Sequence, residues 1–106
     1  MGDDAVIVEG VQSEQARSAL YSTVHGAGRL FGRKQALRTF TKAQMDAWLQ
    51  ERGVRLIGAD LDESPMAYRR LPEVLAYHSE SVRVLHTLRP FAVVMAGNAE
   101  FDPWKD

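Results

Sequence analysis

The chain has 106 residues, 45% of them hydrophobic and 25% charged, with a formal net charge of -1. This balance predicts a folded chain of one domain at most, and the near-neutral charge excludes a strong overall basic field. The lack of cysteine excludes disulfides and thiolate metal sites. No apolar run approaches the ~20 residues that span a bilayer, and the acidic start Met1–Asp4 does not resemble a secretory signal. We therefore expect a cytoplasmic protein with no membrane contact.

The first forty residues predict a strand followed by two helices. The β-branched run Ala5–Glu9 is typical of a strand, and its position near the first residue fits a cut made inside a larger sheet. Ser13 is an expected helix cap, which predicts a short helix over Ser13–Leu20. After a loop, Leu30–Phe40 is predicted to be a basic amphipathic helix that Gly32 weakens. The basic residues of such a helix more commonly form a solvated face than a ligand site.

The clearest helix signal follows directly. Thr41 is predicted to cap a helix over Lys42–Arg52, with Gln44 as its capping-box partner and Gly53 closing the last turn. The residues expected to form its buried stripe are Met45, Trp48 and Leu49. Val54–Ile57 is then predicted to be a strand that ends at Gly58.

The remaining elements alternate in the same way. In chain order, they are a helical turn over Pro65–Arg69, a helix over Pro72–His78, a strand over Ser81–Leu88, a buried strand over Phe91–Met95 and an irregular tail over 98–106. Pro90 is expected at an edge or a bulge, because proline cannot donate to a strand ladder. The alternation of strand runs with capped helices predicts an α+β fold of mixed strands with helices packed on them.

An acidic cluster, Asp60, Asp62 and Glu63, precedes Pro65. Three interpretations are open: a cation site, a series of carboxylates at the start of the next helix, and a solvated loop. We favour the second, because carboxylates near a helix N-terminus are stabilised without any metal.

The stretch with the strongest chemical character is Ser22–Arg29, which reads Ser-Thr-Val-His-Gly-Ala-Gly-Arg. Gly26 and Gly28 allow the backbone to approach a ligand closely, and its N–H groups can then point at an anion. Arg29 adds a fixed charge suited to phosphate, and the neutral imidazole of His25 can take a phosphoryl or nucleotidyl group covalently. The alternative is an ordinary turn with an exposed histidine, since a glycine pair near a histidine is common.

This run, together with the downstream Asp-Glu-Ser-Pro-Met-Ala-Tyr at Asp62–Tyr68, resembles the RtcB family of RNA ligases. The resemblance covers residues 1–97, with 98–106 as a tail, and matches only the C-terminal segment of a family member. It implies that residues 1–106 are the closing segment of a larger RtcB-type ligase domain. It also implies an enzyme that uses GTP and manganese to join RNA 2′,3′-cyclic phosphate or 3′-phosphate ends to 5′-hydroxyl ends, in tRNA splicing or RNA repair.

The resemblance also implies roles for individual residues. His25 would be the catalytic residue that becomes guanylylated. The residues implied to bind GTP or GMP are His25, Gly26, Ala27, Gly28, Arg29 and Tyr68. The family's manganese ligands come from the upstream remainder of the ligase, so no metal ligand is expected in this chain and the isolated segment is expected to be inactive. Family members end in Lys-Gly, whereas the corresponding end here is Ala96-Gly97, with Lys105 further on.

Two other classes of function remain open. One is a non-catalytic nucleotide- or RNA-binding module that keeps the loop and uses the basic helix to hold RNA. The other is a histidine phosphocarrier, indicated only by a lone histidine beside glycines. The ligase interpretation has two linked motifs in its favour, and its expected substrates are tRNA halves or broken RNA ends. A Cys-, His- and Asp-rich body upstream would separate the enzyme from the binding module.

Overall fold

The computed structural model describes residues 1–97, 99–101 and 103. The strands are β1 (Ala5–Gly10), β2 (Arg55–Ala59), β3 (Val82–Leu88) and β4 (Ala92–Gly97). The α-helices are α1 (Glu14–Ser18), α2 (Arg33–Thr39), α3 (Lys42–Glu51) and α4 (Leu71–Ala76), and two 3₁₀ turns cover Leu61–Glu63 and Pro65–Ala67. β1 pairs antiparallel with β3, and β2 pairs parallel with β4. The predicted α+β class is confirmed.

The chain divides into two compact units. The first unit contains Met1–Gly2, Arg29–Tyr68 and the stretch from Pro90 onward. The second unit contains Asp3–Gly28 and Arg69–Arg89. Within the described part of the chain, no helix has the length and apolar character that crossing a membrane requires.

Helix α3 organises the core of the first unit. Thr41 caps the helix, since its hydroxyl accepts from the Gln44 amide at 3.2 Å while the Gln44 side chain accepts from the Thr41 amide at 2.9 Å. The predicted capping box is therefore confirmed. Met45 and Leu49 are buried against Val54, and the partly buried Trp48 packs on that cluster. Gly53 follows the helix with a φ of +67°, as a closing glycine should.

Strand β2 continues past its predicted end. Gly58 lies inside β2 at a shift of register, with a φ of +82°. A Cβ atom there would lie 1.9 Å from the carbonyl oxygen of Met95 on the neighbouring strand β4. Gly58 thus lets two backbones approach each other more closely than any side chain would permit, and this explains why the glycine does not end the strand.

The prediction of a buried strand over Phe91–Met95 is right about the strand, which is β4, and wrong about its burial. Val93 packs on the α3 core, but Val94 is 74% exposed and Phe91 is 84% exposed. Side chains of a strand alternate between faces, and the helix covers only one face of this two-stranded sheet. Pro90 lies in the connection between β3 and β4, outside both strands, so its predicted place at an edge or bulge is also wrong.

Helix α2 is shorter than predicted, because Gly32 is its N-cap and not an interior residue. Upstream of it, Arg29 forms an isolated antiparallel bridge with Tyr68, and the Leu30 amide donates to the Ala67 carbonyl at 2.7 Å. These bonds pair Arg29 and Leu30 with the segment at Ala67 and Tyr68, so the helix begins after them.

The second unit joins the β1–β3 sheet to two short helices. Ser13 caps α1 as predicted, since its side chain accepts from the Ala16 amide at 3.0 Å, and its hydroxyl donates to the Glu80 carbonyl at 2.5 Å. Ahead of α4, Arg70 makes a two-point ion pair with Asp3 at 2.8 and 2.7 Å. These contacts fasten both helices to segments distant in the sequence.

Candidate functional site

The predicted nucleophile lies in an exposed, irregular loop of the second unit. His25 and Gly26 are exposed, and a Cβ atom on Gly26 would meet nothing within 4 Å. Of the two glycines in the motif, only Gly28 has a positive φ, at +84°. Its carbonyl accepts from the Arg69 amide at 2.9 Å, which holds the end of the loop. Gly28 is therefore required by its backbone conformation, whereas Gly26 leaves open space beside the imidazole-bearing residue.

The loop begins with a strained backbone that the sequence did not indicate. Leu20 and Tyr21 both have a φ of 55°, and both side chains are exposed. Residues other than glycine adopt this left-handed conformation at a cost of about 1–3 kcal/mol each. The Tyr21 amide donates to the Ala16 carbonyl at 2.7 Å, so the end of α1 holds the turn that leads into the motif.

Arg29, the last residue of the motif, belongs to the first unit, where all three types of its side-chain nitrogen donate to protein groups. Its Nε donates to the Phe31 carbonyl at 2.9 Å, Nη1 to the Tyr68 hydroxyl at 2.7 Å, and Nη2 to the Asp62 carbonyl at 2.5 Å. The guanidinium also lies over the Tyr68 ring, 4.7 Å from its centroid. The structure therefore brings Arg29 and Tyr68, 39 residues apart, into direct contact.

The acidic cluster divides between two roles. Asp60 caps the first 3₁₀ turn, accepting from the Leu61 amide at 2.7 Å, as the favoured interpretation predicted for carboxylates at a helix start. Asp62 is fully buried, with its carboxylate 3.1 Å from Arg33 Nη1. Glu63 forms an ion pair with Arg33 and accepts a hydrogen bond from the Tyr68 hydroxyl. The solvated-loop interpretation is thus wrong for Asp62 and Glu63.

The four basic residues between Arg29 and Arg38 are divided in the same way. Arg29 and Arg33 are engaged with the acidic turn, whereas Lys34 and Arg38 are exposed on α2, one helical turn apart. Among residues 1–97, 99–101 and 103, no group of three or more His, Cys, Asp or Glu side chains is arranged to hold a metal ion. Lys105 lies outside the described residues.

Electrostatics favour the charged form of Glu63. Burial alone would raise the pKa of its carboxyl, but hydrogen bonds from Tyr68 and Arg33 and the charges of Arg33 and Arg29 outweigh it, so the pKa lies below its ordinary value of 4.5. For Tyr68, burial and the hydrogen bond to Glu63 raise the pKa of the phenol above 10.0. The pair therefore holds a carboxylate and a neutral phenol at neutral pH.

Acid is expected to destabilise the first unit through Glu63. A carboxyl whose pKa is lower in the folded than in the unfolded state stabilises the fold at pH values above its unfolded-state pKa. This stabilisation is lost as the pH falls through the folded-state pKa. The free energy of unfolding, measured by urea denaturation, should thus decline from about pH 5 downward. Glu63→Gln should lose stability at pH 7 and show a shallower decline. An identical slope in the two proteins would contradict this assignment.

Comparison with known proteins identifies the family of this chain. The model of the family described as tRNA-splicing ligase RtcB matches residues 1–96. The chain belongs to the RtcB family. The resemblance first indicated by Ser22–Arg29 and Asp62–Tyr68 is confirmed.

Relatives from bacteria and archaea match over most of the chain. The RNA-splicing ligase RtcB of Escherichia coli K12 is 33% identical over 94 residues, which cover 89% of this chain and 22% of the relative. The RNA-splicing ligase RtcB of Mycobacterium tuberculosis H37Rv is 32% identical over 100 residues, with coverages of 89% and 22%. The tRNA-splicing ligase RtcB of Pyrococcus horikoshii is 29% identical over 99 residues, with coverages of 88% and 11%. The chain therefore spans less than a quarter of each relative's length.

Proposed function

We propose that this chain is the C-terminal part of a GTP- and manganese-dependent RNA ligase that works through a guanylylated His25. Such an enzyme joins RNA 2′,3′-cyclic phosphate or 3′-phosphate ends to 5′-hydroxyl ends. One observation carries the proposal. In this RtcB-family chain, His25 of the motif is exposed in an irregular loop, next to Gly26, which has open space around it. An exposed imidazole with space beside it is what attack on a bulky nucleotide phosphate requires.

The proposed chemistry begins with the imidazole of His25. A ring nitrogen attacks the α-phosphorus of GTP; an N–P bond forms, the α–β anhydride bond breaks, pyrophosphate leaves, and the ring N–H proton passes to solvent. The 3′-phosphate of the RNA then attacks the same phosphorus, which breaks the N–P bond and leaves GMP joined to the RNA end. Finally the 5′-hydroxyl oxygen attacks the RNA phosphate; a phosphodiester forms, the anhydride bond to GMP breaks, GMP leaves, and the hydroxyl proton passes to solvent.

The other residues of the two motifs have proposed roles of their own. The backbone N–H groups of Gly26, Ala27 and Gly28 would bind phosphate or ribose oxygens. Arg29 follows directly in the chain and would offset charge near the nucleotide, although in this structure its side chain is already bonded to protein groups. Tyr68 would contact the nucleotide with the parts of its ring that Arg29 does not cover.

Manganese belongs to the proposal for the whole protein. The described residues of this chain do not assemble a metal centre, so no step above is assigned to a metal. Its ligands are proposed to lie in the upstream remainder of the ligase. RNA ends as substrates and a cytoplasmic location are likewise proposals.

Ligation is the direct test. The protein at its natural length, incubated with GTP, manganese and RNA that carries 3′-phosphate and 5′-hydroxyl ends, is expected to give joined RNA on a denaturing gel. The 106-residue chain alone is expected to give none. Omission of GTP, or RNA with 3′-hydroxyl and 5′-phosphate ends, provides the matched controls.

The two negative outcomes have different meanings. If the natural-length protein binds RNA and GTP but joins nothing, the non-catalytic binding module is the better description. If the 106-residue chain itself joins RNA, the assignment of the metal ligands to the upstream part is wrong.

A further inference from the structure

We propose that Glu63, supported by Arg33, is a positioning residue that holds Arg29 and Tyr68 in the orientation in which they meet the nucleotide. This proposal rests on the proposed function, because it takes Arg29 and Tyr68 as nucleotide-contacting residues. It assigns a role to an acidic side chain for which the sequence favoured only a place near the start of a helix.

The geometry of one carboxylate carries the proposal. Oε2 of Glu63 accepts from the Tyr68 hydroxyl and lies 3.6 Å from Arg29 Nη1. Oε1 is paired with Arg33 Nη1 at the start of α2. The Glu63 side chain thus contacts residues of three segments. They are Arg29 at the end of the motif, Arg33 in the first turn of α2, and Tyr68, which pairs with Arg29 in the isolated bridge.

Removal of that carboxylate would leave the contacts of Arg29 incomplete. The Tyr68 hydroxyl accepts from Arg29 and donates to Glu63, so the hydrogen bonds run in one direction from guanidinium to phenol to carboxylate. Such chains strengthen their members, and bonds to charged groups are the stronger kind. Glutamine at this position would keep only one acceptor oxygen, so the Tyr68 hydroxyl and Arg33 could no longer both be bonded, and the contact of Tyr68 with Arg29 would loosen.

Asp62, the neighbouring acid, has a different part. Its backbone carbonyl accepts a hydrogen bond from Arg29, and any residue at this position would supply that carbonyl. Its buried carboxylate faces Arg33. Asp60 caps the same turn through the Leu61 amide. Asparagine is also a good cap, so Asp60→Asn removes a nearby charge and leaves the turn in place. It is the matched control for Glu63→Gln.

The test is the rate of GMP attachment to the natural-length protein as a function of GTP concentration. Glu63→Gln is expected to raise the half-saturating GTP concentration about tenfold, the change that corresponds to ~1.4 kcal/mol of binding. Asp60→Asn should stay within about twofold of the parent. The urea midpoint of each variant is measured in parallel, and the expected shift in GTP dependence exceeds any difference that stability explains.

Arg33→Lys provides a second, milder variant if Glu63→Gln does not fold. It keeps a positive charge near Asp62 and Glu63 but loses the rigid fork, so an increase of about threefold in half-saturating GTP is expected. A folded Glu63→Gln protein with the parent's GTP dependence would overturn the inference and leave the proposed function intact. If Glu63→Gln does not fold, the parent's GTP dependence in Arg33→Lys overturns the inference. Absence of a GMP adduct in the parent protein would instead overturn the proposed function.

Discussion

His25→Ala is expected to abolish the attachment of GMP to the natural-length protein. The imidazole is the proposed nucleophile, and alanine cannot form an N–P bond. The protein is incubated with GTP and manganese, digested, and the added GMP located by peptide mass analysis. The bond should be acid-labile and alkali-stable, as expected of a phosphoramidate and not of a serine ester. RNA joining should be lost together with the adduct.

The two other histidines are the internal controls. His78 lies just after α4, where its amide donates to the Leu75 carbonyl at 2.9 Å, and His86 is an exposed residue of β3 opposite Ile7. Neither is flanked by glycines, so His78→Ala and His86→Ala should keep the adduct. An adduct that survives in His25→Ala, or one that maps to Lys34 or Lys42, would reject His25 as the nucleophile.

Gly58→Ala is expected to cause a large loss of stability. The new Cβ atom would lie 1.9 Å from the Met95 carbonyl oxygen, and the φ of +82° strains any residue other than glycine. Both effects act on the β2–β4 pairing that lies beside the α3 core. We expect the free energy of unfolding to fall by about 3 kcal/mol or more, or the protein not to fold at all.

Gly97→Ala is the matched control in the same sheet. A Cβ atom at Gly97 meets nothing within 4 Å, and its φ is not positive, so the urea midpoint should change little. Equal stability of Gly58→Ala and Gly97→Ala would show that the close approach of β2 and β4 at Gly58 is not needed for folding.

Local features were predictable from the sequence because the groups that form them are neighbours in the chain. The capping box of Thr41 and Gln44 and the cap at Ser13 involve residues three apart, and the structure has both. Strand positions followed from short β-branched or alternating runs, with ends that differ by a few residues. Membership of the RtcB family also followed from sequence, because its two motifs are contiguous runs of residues.

The tertiary structure decided how the charged residues are used. Arg29 resembled a phosphate-binding fork in the sequence, yet its partners Asp62 and Tyr68 are 33 and 39 residues away. No local pattern encodes such contacts, since they depend on which segments pair. The same reason applies to α2, which begins later in the sequence than predicted because Arg29 pairs with Tyr68. It also applies to Val94, because its exposure depends on which face of the sheet helix α3 covers. The sequence by itself determined the candidate nucleophile, His25. The fold alone decided that the carboxylate of Glu63 lies against Arg29, Arg33 and Tyr68.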